Sequence, residues 1–329
     1  MPTPKRILVY EHITALGIGR DPASVDHSLY REGRAMRDAV IADFERAGWD
    51  VVASMDWQGD GISRAVTQTE AQVVIAPEFD GILTDLTRQI EAAGGKVLGP
   101  TSEAVALTSD KLRLAEHWRE RGIPTPATSD REPTVCEVFP IVWKPRDGAG
   151  STATFRLDRG TDVARTRALR EAEGHVGEMV MQEFVPGLAA SVSFLTGPGE
   201  PIALPPALQR LTGDGRFKYQ GGEVPLPGDL GLRAVTLARP AIAAVPGLRG
   251  WVGVDVVLGD AADGSRDYAI EINPRLTTSY VGLRCLCEEN LASAMLRVAE
   301  GEAMALTWRA RRIAFESGGN VQERRGGAG

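Results

Sequence analysis

Two apolar runs rich in β-forming residues, Trp251 to Leu258 and Tyr268 to Ile272, flank the polar stretch Asp260 to Asp267. Aromatic and β-branched residues on either side of a polar turn specify an antiparallel hairpin. Acidic residues stand inside both runs: Asp255 in the first and Glu271 in the second, with Asn273 two positions later. Side chains alternate between the faces of a strand, so Glu271 and Asn273 point the same way and Asp255 is expected beside them. A carboxylate buried without a partner is costly. The trio therefore reads as a cation site rather than as the solvent face of a hairpin. Two carboxylates and one amide oxygen suit magnesium, or manganese in its place, with nucleotide phosphate oxygens completing the shell. Arg275 follows directly and is placed to neutralise phosphate charge.

The first hundred residues carry a different pattern. Ile7 to Tyr10, Val51 to Ala53 and Val73 to Ala76 read as short strands, and Val97-Leu98 begins another before Gly99-Pro100 stops it. Glu32 to Ala47 reads as a helix, with Met36, Val40 and Phe44 spaced by four and Gly48 at its end. Asp80 to Ala93 reads as a second helix. Such alternation gives a parallel sheet with helices on its faces. The polar, aperiodic stretch from Ile13 to Tyr30 follows the first strand. Loops there often carry ligand contacts, and a plain surface loop fits equally well.

Beyond residue 105 the pattern becomes α+β. Asp110 to Arg121 and Asp162 to Glu173 read as helices, followed late in the chain by Glu288 to Glu300. Pro140 to Lys144, Met179 to Val185 and Ser191 to Thr196 read as strands, and Ile123 to Pro126 as a stiff linker. Three further segments carry chemistry. Lys144 ends a strand and is followed by Gly148, Gly150, Ser151 and Thr152. Glycines let backbone amides approach phosphate, and the lysine supplies a point charge. This is not a Walker A loop, because the lysine precedes the glycines. Gln182, Glu183, Phe184 and Val185 end a strand at Pro186-Gly187, an ordinary turn or a hinge whose backbone can meet an adenine edge. Lys111 stands in the first turn of a helix, unfavourably for the helix dipole unless an anion lies nearby.

Composition excludes several classes. A formal charge of -7 without a plainly basic face argues against nucleic-acid binding. No run approaches a membrane span, and no signal peptide is visible, so the cytoplasm is expected. Cys136, Cys285 and Cys287 are too few and too oddly spaced for a disulfide framework or a zinc site. No Ser-His or Cys-His arrangement suggests a covalent nucleophile.

In this order, the four segments around Lys111, Lys144, Glu183 and Asp255 to Arg275 resemble the ATP-grasp superfamily over roughly residues 1–316. The resemblance implies an α/β pre-ATP-grasp lobe (1–105) and two α+β lobes that clamp ATP (106–190 and 191–316). The Gly- and Arg-rich segment 317–329 is expected to be a disordered tail. By the same resemblance, Lys111 and Lys144 hold the ATP phosphates and Gly148 to Thr152 closes over them. Main-chain groups of Glu183 and Val185 meet adenine. Asp255, Glu271 and Asn273 ligate magnesium, and Arg275 stabilises phosphate or acyl phosphate. One departure stands out: many members carry an acid after the hinge to hold the ribose, where this chain has Leu188-Ala189-Ala190.

The opening Ile7 to Thr14 and the run Glu271 to Gly282 further resemble the tyramine–glutamate ligases of methanofuran biosynthesis. Bacterial relatives would serve methylofuran formation, with tyrosine as another acceptor. The implied reaction transfers the γ-phosphate of ATP to a carboxylate, and an amine then attacks the acyl phosphate to form an amide. Arg210 or Arg275 suits the α-carboxylate of glutamate through a bidentate pair, and Glu11 suits an amine. Arg210, Lys218 and Tyr219 lie in a polar stretch that reads as irregular. The partners are small-molecule carboxylate and amine substrates, and a homodimer is compatible with the sequence. Alternatives are another glutamyl or dipeptide ligase of the same fold, or a non-catalytic ATP-binding regulator.

Overall fold

The computed structural model describes residues 5–24, 26–53 and 60–324. The chain opens with β1 (Arg6–Glu11), α1 (His12–Leu16), α2 (His27–Arg46), β2 (Asp50–Val52), α3 (Gly61–Gln68), β3 (Ala71–Ile75) and α4 (Ile82–Ala92). The three strands form a parallel sheet in the order β2-β1-β3. The expected strand at Val97 shrinks to a single bridge to Gln72. The stretch 13–30 is not the aperiodic loop its composition implies. Glu11 accepts hydrogen bonds from the Ile13 and Thr14 amides and so starts α1, and α2 begins as early as His27. Short-range capping by a carboxylate leaves no mark in hydrophobic periodicity. α2 buries Met36, Val40 and Phe44, as their spacing requires.

α5 (Ser102–Ser109) and α6 (Lys111–Glu120) lead into an antiparallel sheet of order β4-β7-β5-β6: β4 (Thr128–Ser129), β5 (Ile141–Pro145), β6 (Phe155–Leu157) and β7 (Met179–Glu183). α7 (Asp162–Ala172) packs on this sheet through Val163. α6 touches β4 at the edge of that small lobe, but its apolar face turns elsewhere. It buries Leu114 and Trp118 in the core of the large lobe, and Trp118 Nε1 donates to the Ala241 carbonyl at 2.9 Å.

The large lobe contains β8 (Leu188–Thr196), β9 (Ile202–Ala203), β10 (Ala207–Leu211), β11 (Tyr219–Val224), α8 (Gly228–Ala243), β12 (Gly250–Leu258), β13 (Tyr268–Asn273), α9 (Ser279–Leu286), α10 (Leu291–Ala299), β14 (Arg312–Glu316) and β15 (Val321–Arg324). Its sheet runs β13-β12-β8-β10-β11-β14-β15, with β9 added to β8. Two expectations are corrected here. Residues 321–324 of the supposed tail form β15, paired antiparallel with β14; residues 325–329 lie outside the described set. Arg210 and Tyr219 lie on paired strands, β10 and β11, whereas Lys218 belongs to the irregular connection between them. α8 and β12 share one core with α6, whereas β1 and α2 share another with α9 and α10, where Trp251 meets Tyr280 edge-on. The large lobe is thus the base on which the other two rest. Among the described residues no helix is long and apolar enough to cross a membrane.

Candidate active site

The hairpin β12–β13 has the register its sequence requires: Gly253 opposes Asn273 and Asp255 opposes Glu271. A β-bulge between Asp255 and Val256 follows immediately; such a bulge re-aims side chains beside it. Asp255, Glu271 and Asn273 all face one cleft of about 540 Å³ between the small and large lobes. Asp255 accepts Gln209 Nε2 at 2.9 Å and Asn273 Nδ2 at 3.1 Å. Like charges directly opposite on neighbouring strands repel. Burial, followed by the charge of Glu271, raises the Asp255 carboxyl well above the usual carboxylate range. Burial opposes ionisation of Glu271 too, but Lys111 and Lys144 outweigh it and hold that carboxyl low.

The two lysines reach the cleft from different elements. Lys111 opens α6, where Asp110 caps the helix by accepting the Leu112 and Arg113 amides. Its Nζ lies 3.6 Å from Glu271 Oε2 and donates to the Gly148 carbonyl at 3.2 Å. Lys144 stands on β5 and is 7% exposed; burial brings its ammonium down to about 8. Both lysines therefore face the acidic pair without forming a tight salt bridge, as a site prepared for additional anions would.

The loop after β5 lines the same cleft through Gly148, Gly150, Ser151 and Thr152. Ser151 and Ala153 hold left-handed backbone conformations, and Ser151 Oγ donates to the Phe217 carbonyl at 2.8 Å. Strained non-glycine backbone of this kind concentrates where a loop must meet a ligand. Across the cleft, Leu29 of α2 packs so closely on Gly150 that an added Cβ would lie 2.6 Å from it.

Gln182, Glu183, Phe184 and Val185 also line the cleft. Three of them are already engaged within the small lobe, Phe184 through its amide to the Pro140 carbonyl at 3.2 Å. Gln182 Nε2 donates to Thr128 Oγ1, and the Glu183 amide donates to the Ala127 carbonyl at 2.9 Å. The Glu183 N–H is thus not a free contact for a base, a restriction invisible without the β4–β7 pairing. Phe184 stacks on Phe217 at 6.2 Å, and Arg156 lies over its ring. Leu188 and Ala189 line the wall after the hinge with no polar side chain.

Arg275 faces the cleft and pairs with Glu78, its Nη2 donating to Oε2 at 3.2 Å. The Nε lies 2.9 Å from Oε1 without hydrogen-bond alignment, so the guanidinium keeps donor capacity.

Two sequence candidates are not brought to the cleft. Arg210 is absent from its lining; its Nη2 donates to the Phe315 carbonyl, because Gln209 and Leu211, its neighbours on β10, take the cleft-facing positions. Glu11 is 2% exposed and caps α1, pressed against Gly33 of α2. Lys218 is exposed, whereas Tyr219 lines the cleft. Glu32 and Gln209 on the cleft lining, and Glu78 behind Arg275, had no role in the sequence reading. Each sits on an element far along the chain from the hairpin, and only Glu32 carried a local clue, standing one helical turn after Leu29.

Comparison with known proteins places these residues in a family context. Residues 108–279 match the model for the ATP-grasp domain, and residues 36–105 match that for the pre ATP-grasp 3 domain. A tyramine–L-glutamate ligase from Methanocaldococcus fervens is 32% identical over 232 residues, covering 70% of this chain and 67% of its own. That from Methanocaldococcus jannaschii is 29% identical over 326 residues, covering 91% and 90%. The crystal structure of an ATP-grasp superfamily protein from Archaeoglobus fulgidus superposes with a TM-score of 0.70 at 26% identity, covering 94% of this chain and 92% of that one.

Proposed function

Because this chain belongs to the ATP-grasp family, as an ATP-dependent ligase that forms carbon–nitrogen bonds, we propose that it activates the carboxylate of glutamate and joins it to the amine of tyramine or tyrosine. One observation carries this reading: the opposed carboxylates of Asp255 and Glu271 share a cleft with Lys111 and Lys144. Such a cleft gathers a triphosphate and a carboxylate against one another. The substrate pair follows from the tyramine–glutamate ligases at 29% and 32% identity, the names of which describe that reaction.

The donor set fits magnesium. Among the described residues no three His, Cys, Asp or Glu side chains converge, so a cation here would rest on Asp255, Glu271 and the Asn273 amide. Few protein ligands with phosphate oxygens making up the remainder is how magnesium is commonly held. When bound, the ion would lower the repulsion between the two carboxylates and screen phosphate charge. Gln209 would fix the orientation of Asp255, in the manner of outer partners of metal ligands.

The chain's own groups then divide the work. Lys111 and Lys144 receive phosphate oxygens, and the loop Gly148 to Thr152 covers them and excludes water. Arg275, with donors left over from Glu78, receives the carboxylate oxygen that becomes the acyl phosphate. No protein nucleophile is needed; catalysis is positioning and charge neutralisation. The methanofuran or methylofuran context is part of the same proposal.

The test is ADP release by the purified protein with magnesium, ATP and glutamate against tyramine, tyrosine and other primary amines. Turnover requiring glutamate and an aromatic amine together is expected. Turnover with D-alanine alone, or ADP release indifferent to every amine, would overturn the assignment.

A further inference from the structure

The cleft contains a carboxylate that the reaction scheme above leaves without a role. Glu32 reaches it from α2, on the lobe that contributes neither lysine nor hairpin. Its Oε1 accepts a hydrogen bond from Thr278 Oγ1 at 2.5 Å, and it forms no ion pair among the described residues. Of the other acids on the cleft lining, Asp147 accepts the Asp80 amide at 3.0 Å and Glu183 is exposed at the end of β7. Glu271 faces Lys111 and Lys144, Asp255 is held by Gln209 and Asn273, and Glu78 pairs with Arg275. Arg275 bears on Glu32 only through space, while Glu78 and Glu11 add negative charge around it. A half-buried carboxylate among acids, held by one hydroxyl, is an electrostatic vacancy for a cation.

Its position is fixed by packing. Gly33, the next residue, lies so close to Glu11 that an added Cβ would sit 2.5 Å from Oε1. Leu29, one turn earlier on α2, rests on Gly150 of the phosphate-covering loop. Glu32 therefore stands between that loop and the Arg275–Thr278 segment, beside the place where the acyl phosphate must form. The incoming nucleophile has to arrive there, and a primary alkylamine arrives at neutral pH as an ammonium ion, which gives up one proton to water or to the carboxylate holding it before its nitrogen can attack. A metal is a poorer occupant, since no three ligating acids or imidazoles converge among the described residues.

Resting on the ligase reading, we propose that Glu32 is the residue that receives the ammonium group of the incoming amine and so selects cationic acceptors. Glu11, the sequence's candidate for that role, is instead committed to capping α1.

The experiment compares two nucleophiles on the wild type, Glu32→Gln and Glu32→Asp. Tyramine arrives charged; hydroxylamine is uncharged near neutral pH and traps the acyl phosphate as a hydroxamate. Glu32→Gln should raise the KM for tyramine about 10- to 100-fold, the range for losing a charge-assisted hydrogen bond. It should leave the KM values for ATP and glutamate and the rate of hydroxamate formation unchanged, which also shows that the variant is folded. Glu32→Asp should recover part of the tyramine affinity. An unchanged tyramine KM in Glu32→Gln would overturn the proposal. A parallel loss of glutamate affinity and hydroxamate yield would also overturn it, assigning Glu32 to the acid substrate or to the fold. Absence of glutamate-dependent hydroxamate in the wild type would instead sink the ligase assignment itself.

Discussion

Asp43 offers a quantitative test of how the amino-terminal lobe is held to the large one. It lies on α2, is 1% exposed, and faces α9. Its carboxylate accepts Tyr280 Oη at 2.6 Å, Arg284 Nε at 2.9 Å and Arg284 Nη2 at 2.5 Å, and it pairs with Arg46 as well. Its carbonyl receives Asn290 Nδ2 at 2.8 Å. Replacing Asp43 by Asn keeps the size of the side chain but presents an amide to a guanidinium whose side chain is only 20% exposed. Breaking a buried charge pair from one side costs about 3–5 kcal/mol. Some of that returns through the exposed Arg46, so about 2–4 kcal/mol is expected.

The double variant Asp43→Asn with Arg284→Met removes both charges. Replacing a whole buried pair by groups of similar size is often close to neutral, so the double variant should be more stable than Asp43→Asn alone by at least ~1 kcal/mol, a negative coupling that a cycle can measure. Equilibrium urea unfolding, followed by tryptophan fluorescence and far-ultraviolet circular dichroism, is the assay. Coincident curves are needed before a free energy is extracted from a chain of several lobes. A loss below ~1 kcal/mol in Asp43→Asn would refute the argument that this buried carboxylate ties α2 to α9, as would a double variant no better than the single one.

Three further outcomes follow from the cleft and its surroundings. Glu271→Gln should reduce ADP formation by about 100-fold or more while leaving circular dichroism and the unfolding transition in place; normal turnover would contradict its assignment to the cation. Gln209→Leu removes the 2.9 Å hydrogen bond to Asp255 and should weaken the magnesium requirement's half-saturation by about 10- to 100-fold without abolishing the maximal rate. Burial alone would raise the Asp110 carboxyl, but hydrogen bonds from Arg146 at 2.9 and 2.7 Å pull it below the usual range. A depressed folded pKa stabilises fully above the unfolded value of about 4 and is lost as pH falls through the folded one. Arg146→Met should therefore lower stability at pH 7 by about 1–2 kcal/mol, and the gap to wild type should close below pH ~4.

The parts of the fold legible in the sequence are those governed by short-range rules. Met36, Val40 and Phe44 repeat at helical spacing and α2 buries all three; the apolar runs around Asp255 and Glu271 pair in the register that alternation requires. What escaped depends on contacts between distant segments. α6 has an ordinary amphipathic pattern, and nothing local says that Trp118 will donate to Ala241 rather than pack with the small lobe that follows. β15 is exposed throughout and rich in charge, so it carries no hydrophobic signal; it exists because β14 offers it a ladder of backbone hydrogen bonds. The α1 turn is set by one carboxylate, Glu11, whose capping role competes with any ligand role assigned from its place at the end of a strand.

The same distinction explains which half of the cleft could be read in advance. The side proposed for the cation is local: Asp255, Glu271 and Asn273 lie on one hairpin, so strand alternation alone aligns their side chains. The side proposed for the acceptor is assembled from α2 and the segment after β13, through Glu32 and Thr278, with Glu78 of the loop after β3 behind Arg275. No spacing rule links residues so far apart in sequence. Arg210 illustrates the cost of judging such a side by residue type: a one-residue step along β10 sends Gln209 into the cleft and Arg210 to the Phe315 carbonyl, because the side-chain period of a strand is two. The side that handles phosphate must repeat the same chemistry for any carboxylate, whereas the side that selects the amine must change with it. With Glu32 as the proposed amine site, the acceptor preference of this ligase is to be sought on α2 and the Thr277–Ser279 segment, where substitutions should alter the choice of amine and leave ATP binding intact.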